Sequence, residues 1–399
     1  MTFKYKMRSF AVNSFRYLFG WIILKYCHAK IETYKPKHKA FIIVANHADG
    51  MDVGYQLIAL KRYIRFVISD HLARSKFTDI VLEGIASVIV KHREEPSKVL
   101  TDEIKSSLDA GIPVSIFPEG AMTPNGETGF FSPRTGQLIK DSGAALITFK
   151  LTGGYMHAPK WARYLRRGPV HGKVVAEYAP QQLAAMSADE VNALIQRDIY
   201  HNEYEHQAKN KKEYKGKNLA EFVERILYMC PECKEIGHLH SHKDFLKCDN
   251  CGYEVELKYD GLFYKTGNVL HFSTILDWDK WQKTEWQKTE WQKRLSNATD
   301  SELIYEEPHQ IVSTIVKNRK KLLSDDATIL LYKDGFEIIL GGETRLILPH
   351  KDINLVLNVS IEALIIINDD FYLYIQSQRP RAAAKYVTAW RTLLGKKHI

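Results

Sequence analysis

Ala40-Phe41-Ile42-Ile43-Val44-Ala45-Asn46-His47-Ala48-Asp49-Gly50-Met51-Asp52 joins a short apolar run to a polar turn. An uninterrupted apolar run of this length, rich in β-branched residues and closed by turn formers, reads as a buried strand. His47 then stands at a strand's carboxyl end, where open α/β sheets gather their sites. Of the sixteen histidines, only His47 has an Asp five positions on. A second apolar run, about seventy residues later, ends in Phe117-Pro118-Glu119-Gly120.

Outward from this pair, strand patterns recur at 64–68, 85–90, 112–117, 144–151 and 172–178, with helical patterns near 52–61 and 97–109. Strands alternating with helices predict a largely parallel sheet covered on both faces, an α/β domain over 39–208. Ser187-Ala188-Asp189-Glu190 has the form of a helix start, and one helix is expected to run from there toward residue 208.

With 399 residues, 45% hydrophobic and 26% charged, the chain has the balance of a folded protein of two or three domains, not of a disordered one. Its formal charge of +9 suits anionic lipid and nucleic acid equally. Cys230, Cys233, Cys248 and Cys251 form two C-x2-C pairs fourteen residues apart, the spacing of a zinc ribbon over 227–260. Four cysteines fill a tetrahedral site, so the zinc is expected to be structural, and His238, His240 and His242 are not needed as ligands. A metal-binding set of thiols favours a reducing cytoplasm over a secreted disulfide framework, and Cys27 is left as an apolar residue.

The longest apolar run near the start, Tyr17 to Leu24, is too short to span a bilayer. Phe10, Phe15, Trp21 and Ile22 mixed with Lys4, Lys6, Arg8, Arg16 and Lys25 predict an amphipathic helix at a membrane surface over 1–38, on the cytoplasmic face, peripheral or monotopic. The lysine-rich residues after 208 read as a solvated linker over 209–226. A connector over 261–302 holds the tandem repeat Trp281-Gln-Lys-Thr-Glu, Trp286-Gln-Lys-Thr-Glu, Trp291-Gln-Lys. Steps of five give no aromatic stripe on a helix or a strand, so the repeat reads as a tolerant exposed segment or, failing that, a Trp/Lys interface patch. From 303 to 399, β-like runs at 327–332, 336–340, 344–348, 353–357, 363–367 and 371–376 precede a helical pattern over 381–394. This order resembles a pleckstrin-homology-like module, a β-rich fold closed by a helix, with Trp390 as its core plug.

Residues 40 to about 205 resemble the glycerolipid acyltransferase family, which includes the 1-acylglycerol-3-phosphate acyltransferases, through His47 with Asp52 and then Phe117 to Gly120. The resemblance implies that His47 and Asp52 are the catalytic dyad. It places the glycerol-phosphate acceptor near Phe117, Pro118, Glu119 and Gly120, with Asn46 beside them. Glu119 could equally be a buried acceptor of backbone amides. The family's phosphate-binding Arg follows a Gly and an apolar strand. Gly84 to Arg93 has that shape, which points to Arg93 or, in a shifted register, Lys91; Arg93 could also pair with Glu94 or Glu95 at the surface. Where many relatives carry Thr-Arg after Glu-Gly, this chain has Ala121-Met122, and Arg134 is the candidate replacement.

Acyl transfer from a thioester to an alcohol needs a hydroxyl made nucleophilic near neutrality, a task for a histidine held in one tautomer by a carboxylate. The attacking oxygen belongs to the substrate, so neither a Ser or Cys nucleophile nor a catalytic cofactor is required. Backbone amides around Gly50 could meet the oxyanion. The implied partners are acyl-CoA or an acyl-carrier protein as donor, lysophosphatidic acid or another lysolipid as acceptor, and a membrane surface. The competing class is a zinc-ribbon adaptor that binds lipid or protein. In the ribbon, Lys234, Lys243 and Lys247 are balanced by Glu232, Glu235, Asp244 and Asp249, which argues against nucleic acid.

Overall fold

The computed structural model describes residues 3–69, 88–91, 97–267, 269–285, 303–316, 319–341, 344–358, 361 and 363–395. The chain divides into two compact units, residues 1–160 with 165–216, and residues 161–164 with 217–399.

The first unit opens with helix α1 (Phe3–Tyr26) and strand β1 (Ala29–Ile31). Then come β2 (Phe41–Ala45), α2 (Asp52–Leu60), β3 (Arg65–Ser69), β4 (Ile89–Lys91), α3 (Ser97–Asp109) and β5 (Val114–Ile116). Helix α4 (Arg134–Ser142), β6 (Ala145–Thr152), the single turn α5 (Gly154–His157) and β7 (Val170–Tyr178) follow. Helices α6 (Pro180–Ala184), α7 (Ala188–Ile199) and α8 (Glu203–Asn210) end the unit. The seven strands form one sheet in the order β1-β7-β6-β2-β5-β3-β4. Every ladder is parallel except β6 with β7, so the sheet is mixed, as one antiparallel pair makes it.

All five residues of β2 are buried, as an apolar strand between two covered faces must be. Ile42 and Val44 meet Ile104 and Leu108 of α3, Ile139 of α4 and Val191, Leu194 and Ile195 of α7. On the opposite face α2 packs, with Gln56 accepting a hydrogen bond from the Ser115 hydroxyl of β5 at 2.6 Å. The helix expected to continue toward 208 breaks at Tyr200. The Asn202 side chain accepts from the amides of Tyr204 and Glu205 and starts α8 instead.

The second unit holds an antiparallel sheet of four strands, β8 (Leu239–His242), β9 (Phe245–Cys248), β10 (Glu254–Leu257) and β11 (Phe263–Lys265), and helix α9 (Ile275–Glu285). A seven-stranded antiparallel sheet follows: β12 (Leu303–Val316), β13 (Arg319–Tyr332), β14 (Gly335–Gly341), β15 (Thr344–Pro349), β16 (Leu355–Asn358), β17 (Ala363–Ile367) and β18 (Tyr372–Ser377). Its order is β15-β14-β13-β12-β18-β17-β16, and α10 (Ala384–Leu393) brings Trp390 into the core. Tyr228 and Met229, just ahead of Cys230, share that core with Val312, Ile329 and Trp390. The ribbon's entry and the carboxyl-terminal sheet therefore pack as one body.

Two segments read as exposed are packed. Between Lys209 and Ile226, Tyr214 is buried with its hydroxyl on the Pro169 carbonyl at 2.9 Å, and Leu219, Ala220 and Val223 are buried too. The first copy of the Trp repeat ends α9 rather than lying on the surface. Gln282 is fully buried, takes the Tyr228 amide at 3.0 Å and donates to the Ile226 carbonyl at 2.8 Å, while Trp281 packs on the core. Residues 286–302, with the later copies, lie outside the described residues.

Candidate active site

β2 and β5 are neighbours in parallel register, Val44 beside Ile116, so the turns after them leave the sheet together. That juxtaposition brings His47 and Phe117 to Gly120 into one site despite their separation in sequence. Phe117 stacks on the His47 ring at 4.2 Å between centroids, with the planes 21° apart.

Asp52, at the first turn of α2, is buried, and its Oδ2 lies 2.7 Å from His47 Nδ1. The same carboxylate accepts from the amides of Ala48 at 2.9 Å and Asp49 at 3.1 Å. Burial pushes the Asp52 carboxyl up from its ordinary value, opposed by the His47 ring and these amides. With Nδ1 engaged, Nε2 is the nitrogen left for a substrate on the partly exposed ring.

Glu119 faces inward. One carboxylate oxygen accepts from the His47 amide at 2.9 Å and the other from the Gly129 amide at 2.6 Å. It braces the backbone that carries His47, and burial pushes its carboxyl up to about 7 against those two amides. Gly120 closes the turn at φ +72°, a conformation that favours glycine, with its amide on the Phe117 carbonyl at 3.0 Å. Asp49 is also buried and accepts from the Met51 amide at 2.9 Å; burial raises its carboxyl to about 7. The amides of Ala48, Asp49 and Met51 are thus held by carboxylates. Among the described residues of this turn, the Gly50 amide is the one that meets no carboxylate or carbonyl.

Asn46, assigned to substrate by resemblance, turns into the sheet instead. Its side chain donates to the Leu151 carbonyl at 2.9 Å and accepts the Leu151 amide at 2.8 Å, continuing the β2–β6 ladder. Pro118 occupies the turn between Phe117 and Glu119. Arg134 is exposed at the start of α4, and Lys91 is exposed at the end of β4. Arg93 lies outside the described residues. Two groups near the site escape sequence reasoning: Glu203, buried and holding the Gly153 amide at 2.9 Å, and His201, 3.3 Å from Glu203. The break before α8 that aims them is set by Asn202, whose capping role only the surrounding helices reveal.

In the second unit the ligand sulfurs of Cys230, Cys233, Cys248 and Cys251 lie within 4.8 Å of one another. Cys230 to Cys251 is 3.7 Å and Cys233 to Cys248 is 3.8 Å. Four sulfurs about 2.3 Å from a central ion stand about 3.8 Å apart, so the thiols fit a tetrahedral metal and are too far apart for disulfides. Both knuckles have one form: the first Cys amide meets a carbonyl five residues on, and its carbonyl takes the amide of Lys234 or Gly252, each left-handed at φ +61° and +75°.

A partly exposed imidazole held by a buried carboxylate thus stands at the end of a central strand of a mixed α/β sheet. Residues 27–151 match the Acyltransferase family. No curated protein matches the chain. Among solved structures, the 1-acyl-sn-glycerophosphate (LPA) acyltransferase PlsC from Thermotoga maritima is similar at 19% identity, over 50% of this chain and 82% of that one, with a TM-score of 0.41. The Vps36 N-terminal PH domain is similar at 14% identity over 24% of this chain and 80% of that one, with a TM-score of 0.20. The linker-DH/PH domains of p115-RhoGEF are similar at 13% identity, over 31% and 45%, with a TM-score of 0.18.

Proposed function

We propose that this protein transfers a fatty acyl chain from an acyl thioester, acyl-CoA or an acyl-carrier protein, to the hydroxyl of lysophosphatidic acid or a related lysolipid. The contact that supports this reading most is His47 Nδ1 to Asp52 at 2.7 Å, which leaves Nε2 as the base. Nε2 takes the acceptor's hydroxyl proton as its oxygen attacks the thioester carbonyl. The tetrahedral oxyanion forms near the Gly50 amide, the carbon–sulfur bond breaks, and the imidazolium returns the proton to the leaving thiolate. Asp52 stays ionised and stabilises the imidazolium.

The same reading seats the domain on the cytoplasmic face of a membrane, where a lysolipid is found. Among the described residues no helix is long and apolar enough to cross a bilayer. Met7, Phe10, Tyr17, Leu18, Trp21 and Ile22 are nevertheless exposed on α1, and their spacing sets most of them on one side of it. A zinc ion held by Cys230, Cys233, Cys248 and Cys251 would stabilise the ribbon; four thiolates leave no position for substrate.

Incubation of purified protein with labelled acyl-CoA and lysophosphatidic acid tests the chemistry. His47→Ala should cut the rate by roughly 10²- to 10⁴-fold with the thermal unfolding midpoint retained. A folded His47→Ala protein that works at the wild-type rate would eliminate the mechanism.

A further inference from the structure

β6 and β7 pair antiparallel so that Lys150 stands directly opposite Lys173 and Thr152 directly opposite His171. Opposed residues of neighbouring strands project from the same face, their Cβ atoms about 5 Å apart, and like charges so placed repel. These four residues line a cavity of about 290 Å³, with His206 of α8 and Lys212 just beyond it. Glu32 is the one carboxylate in the lining, against three lysines.

None of the three ammonium groups forms an ion pair among the described residues. The carboxylate whose field reaches Lys150, Asp198, is already taken by the Thr148 hydroxyl at 2.9 Å, the Tyr178 hydroxyl at 2.7 Å and Arg197 at 3.0 Å. Burial holds the Lys150 ammonium below the ordinary lysine value, and Lys173 adds to that. The far wall is set in advance. Buried Gln207 accepts the Lys212 amide at 3.2 Å and donates to the Lys212 carbonyl, while Lys211 turns the chain at φ +48°.

We propose that this cavity is a phosphate-binding site, taking the phosphate or diphosphate group of a ligand between Lys150, Lys173 and Lys212. A dianion relieves the opposed lysines by charge-assisted hydrogen bonds, and the Thr152 hydroxyl lies on the same face to donate another. The volume fits a compact anion and not a whole lipid, whose remaining part would extend outward. Its lining shares no residue with the cavity that holds His47, and the proposal does not depend on acyl transfer.

Binding of inorganic phosphate and pyrophosphate to the full-length protein, by calorimetry against chloride at matched ionic strength, is the test. Phosphatidylcholine vesicles doped with phosphatidic acid form a second arm. Lys150→Gln with Lys173→Gln, and separately the rim change Lys212→Gln, should each weaken binding roughly tenfold or more, the loss of a hydrogen bond to a charged group. Lys105→Gln, an equal charge change on α3, should leave it unaltered. Weakening with soluble phosphate identifies the free group as sufficient; weakening with vesicles alone identifies a lipid headgroup as its source. Wild-type protein indifferent to phosphate in both arms, or Lys212→Gln binding like wild type, overturns the site whatever the outcome at His47.

Discussion

Glu119 and Glu307 are both shielded glutamates, one on backbone amides and the other on side-chain cations, and their carboxyls shift in opposite directions. Glu119 meets two backbone amides, and burial carries it up to about 7. Glu307 on β12 meets Arg381 at 2.6 Å, Lys385 at 2.5 Å and the Tyr386 hydroxyl at 2.7 Å. Burial raises Glu307 as well, yet the two cations bring it down to about 2. Amide dipoles orient a carboxylate without repaying its desolvation, whereas full charges repay it. The first unit thus holds a carboxyl raised toward neutrality beside its site, and the second a buried cluster in which cations hold the carboxyl low.

Breaking the cluster should have the largest effect. Glu307→Gln leaves Arg381 and Lys385 buried without a counter-charge and should destabilise the second unit by about 3–5 kcal/mol. Hydrogen exchange of the β12 and α10 amides reads this directly, and wild-type protection in the variant would mean that the cluster is neutral in energy. The pH dependence has a definite sign. Glu307 is depressed from 4.5 to about 2, so its contribution is complete above about 4.5 and is lost as pH falls toward 2.

Glu119→Gln sharpens the contrast at the other end. A glutamine can accept one of the two amides but turns an N–H toward the other, at a cost of about 1–3 kcal/mol. Because one of those amides is that of His47, acyl transfer should fall together with stability. Urea unfolding alongside the acyl-CoA assay checks both, and full activity at reduced stability would separate the brace from the base.

The central strand, the His47–Asp52 pair and the four thiols were legible because each rests on local spacing. A five-residue offset, an apolar run and C-x2-C pairs survive without tertiary knowledge. The inward turn of Asn46 and the capture of Gln282 were not, since each answers a backbone group on a distant segment, Leu151 or Tyr228. A polar side chain in a polar stretch reads as exposed unless its partner is known. β12 was missed for a related reason: its fourteen residues include Glu306, Glu307 and Pro308, and Glu307 is tolerated because Arg381 and, on α10, Lys385 bring cations to it. The motif pair and resemblance left open whether Glu119 faced acceptor or backbone, and its carboxylate meets the backbone amides of His47 and Gly129.

The effect with the smallest change per step is a slope. Asp49 is raised from 3.8 to about 7, so between those values the folded chain holds a proton that the unfolded chain has released, and stability falls as pH rises through that window. Glu119 acts in the same direction from 4.5. His157 and His206, lowered by burial, act in the opposite direction, losing stability as pH falls below the ordinary histidine range. The wild-type curve alone therefore mixes signs, and the difference between two proteins isolates one. Asp49→Asn retains an oxygen for the Met51 amide and presents an N–H to the Tyr55 hydroxyl, so the fold loses little. Relative to wild type it should gain up to about 1 kcal/mol per pH unit across the window, close to the linkage limit for one proton. Urea midpoints at several pH values measure that difference, and parallel curves for the two proteins would show that Asp49 is ionised in the folded state throughout.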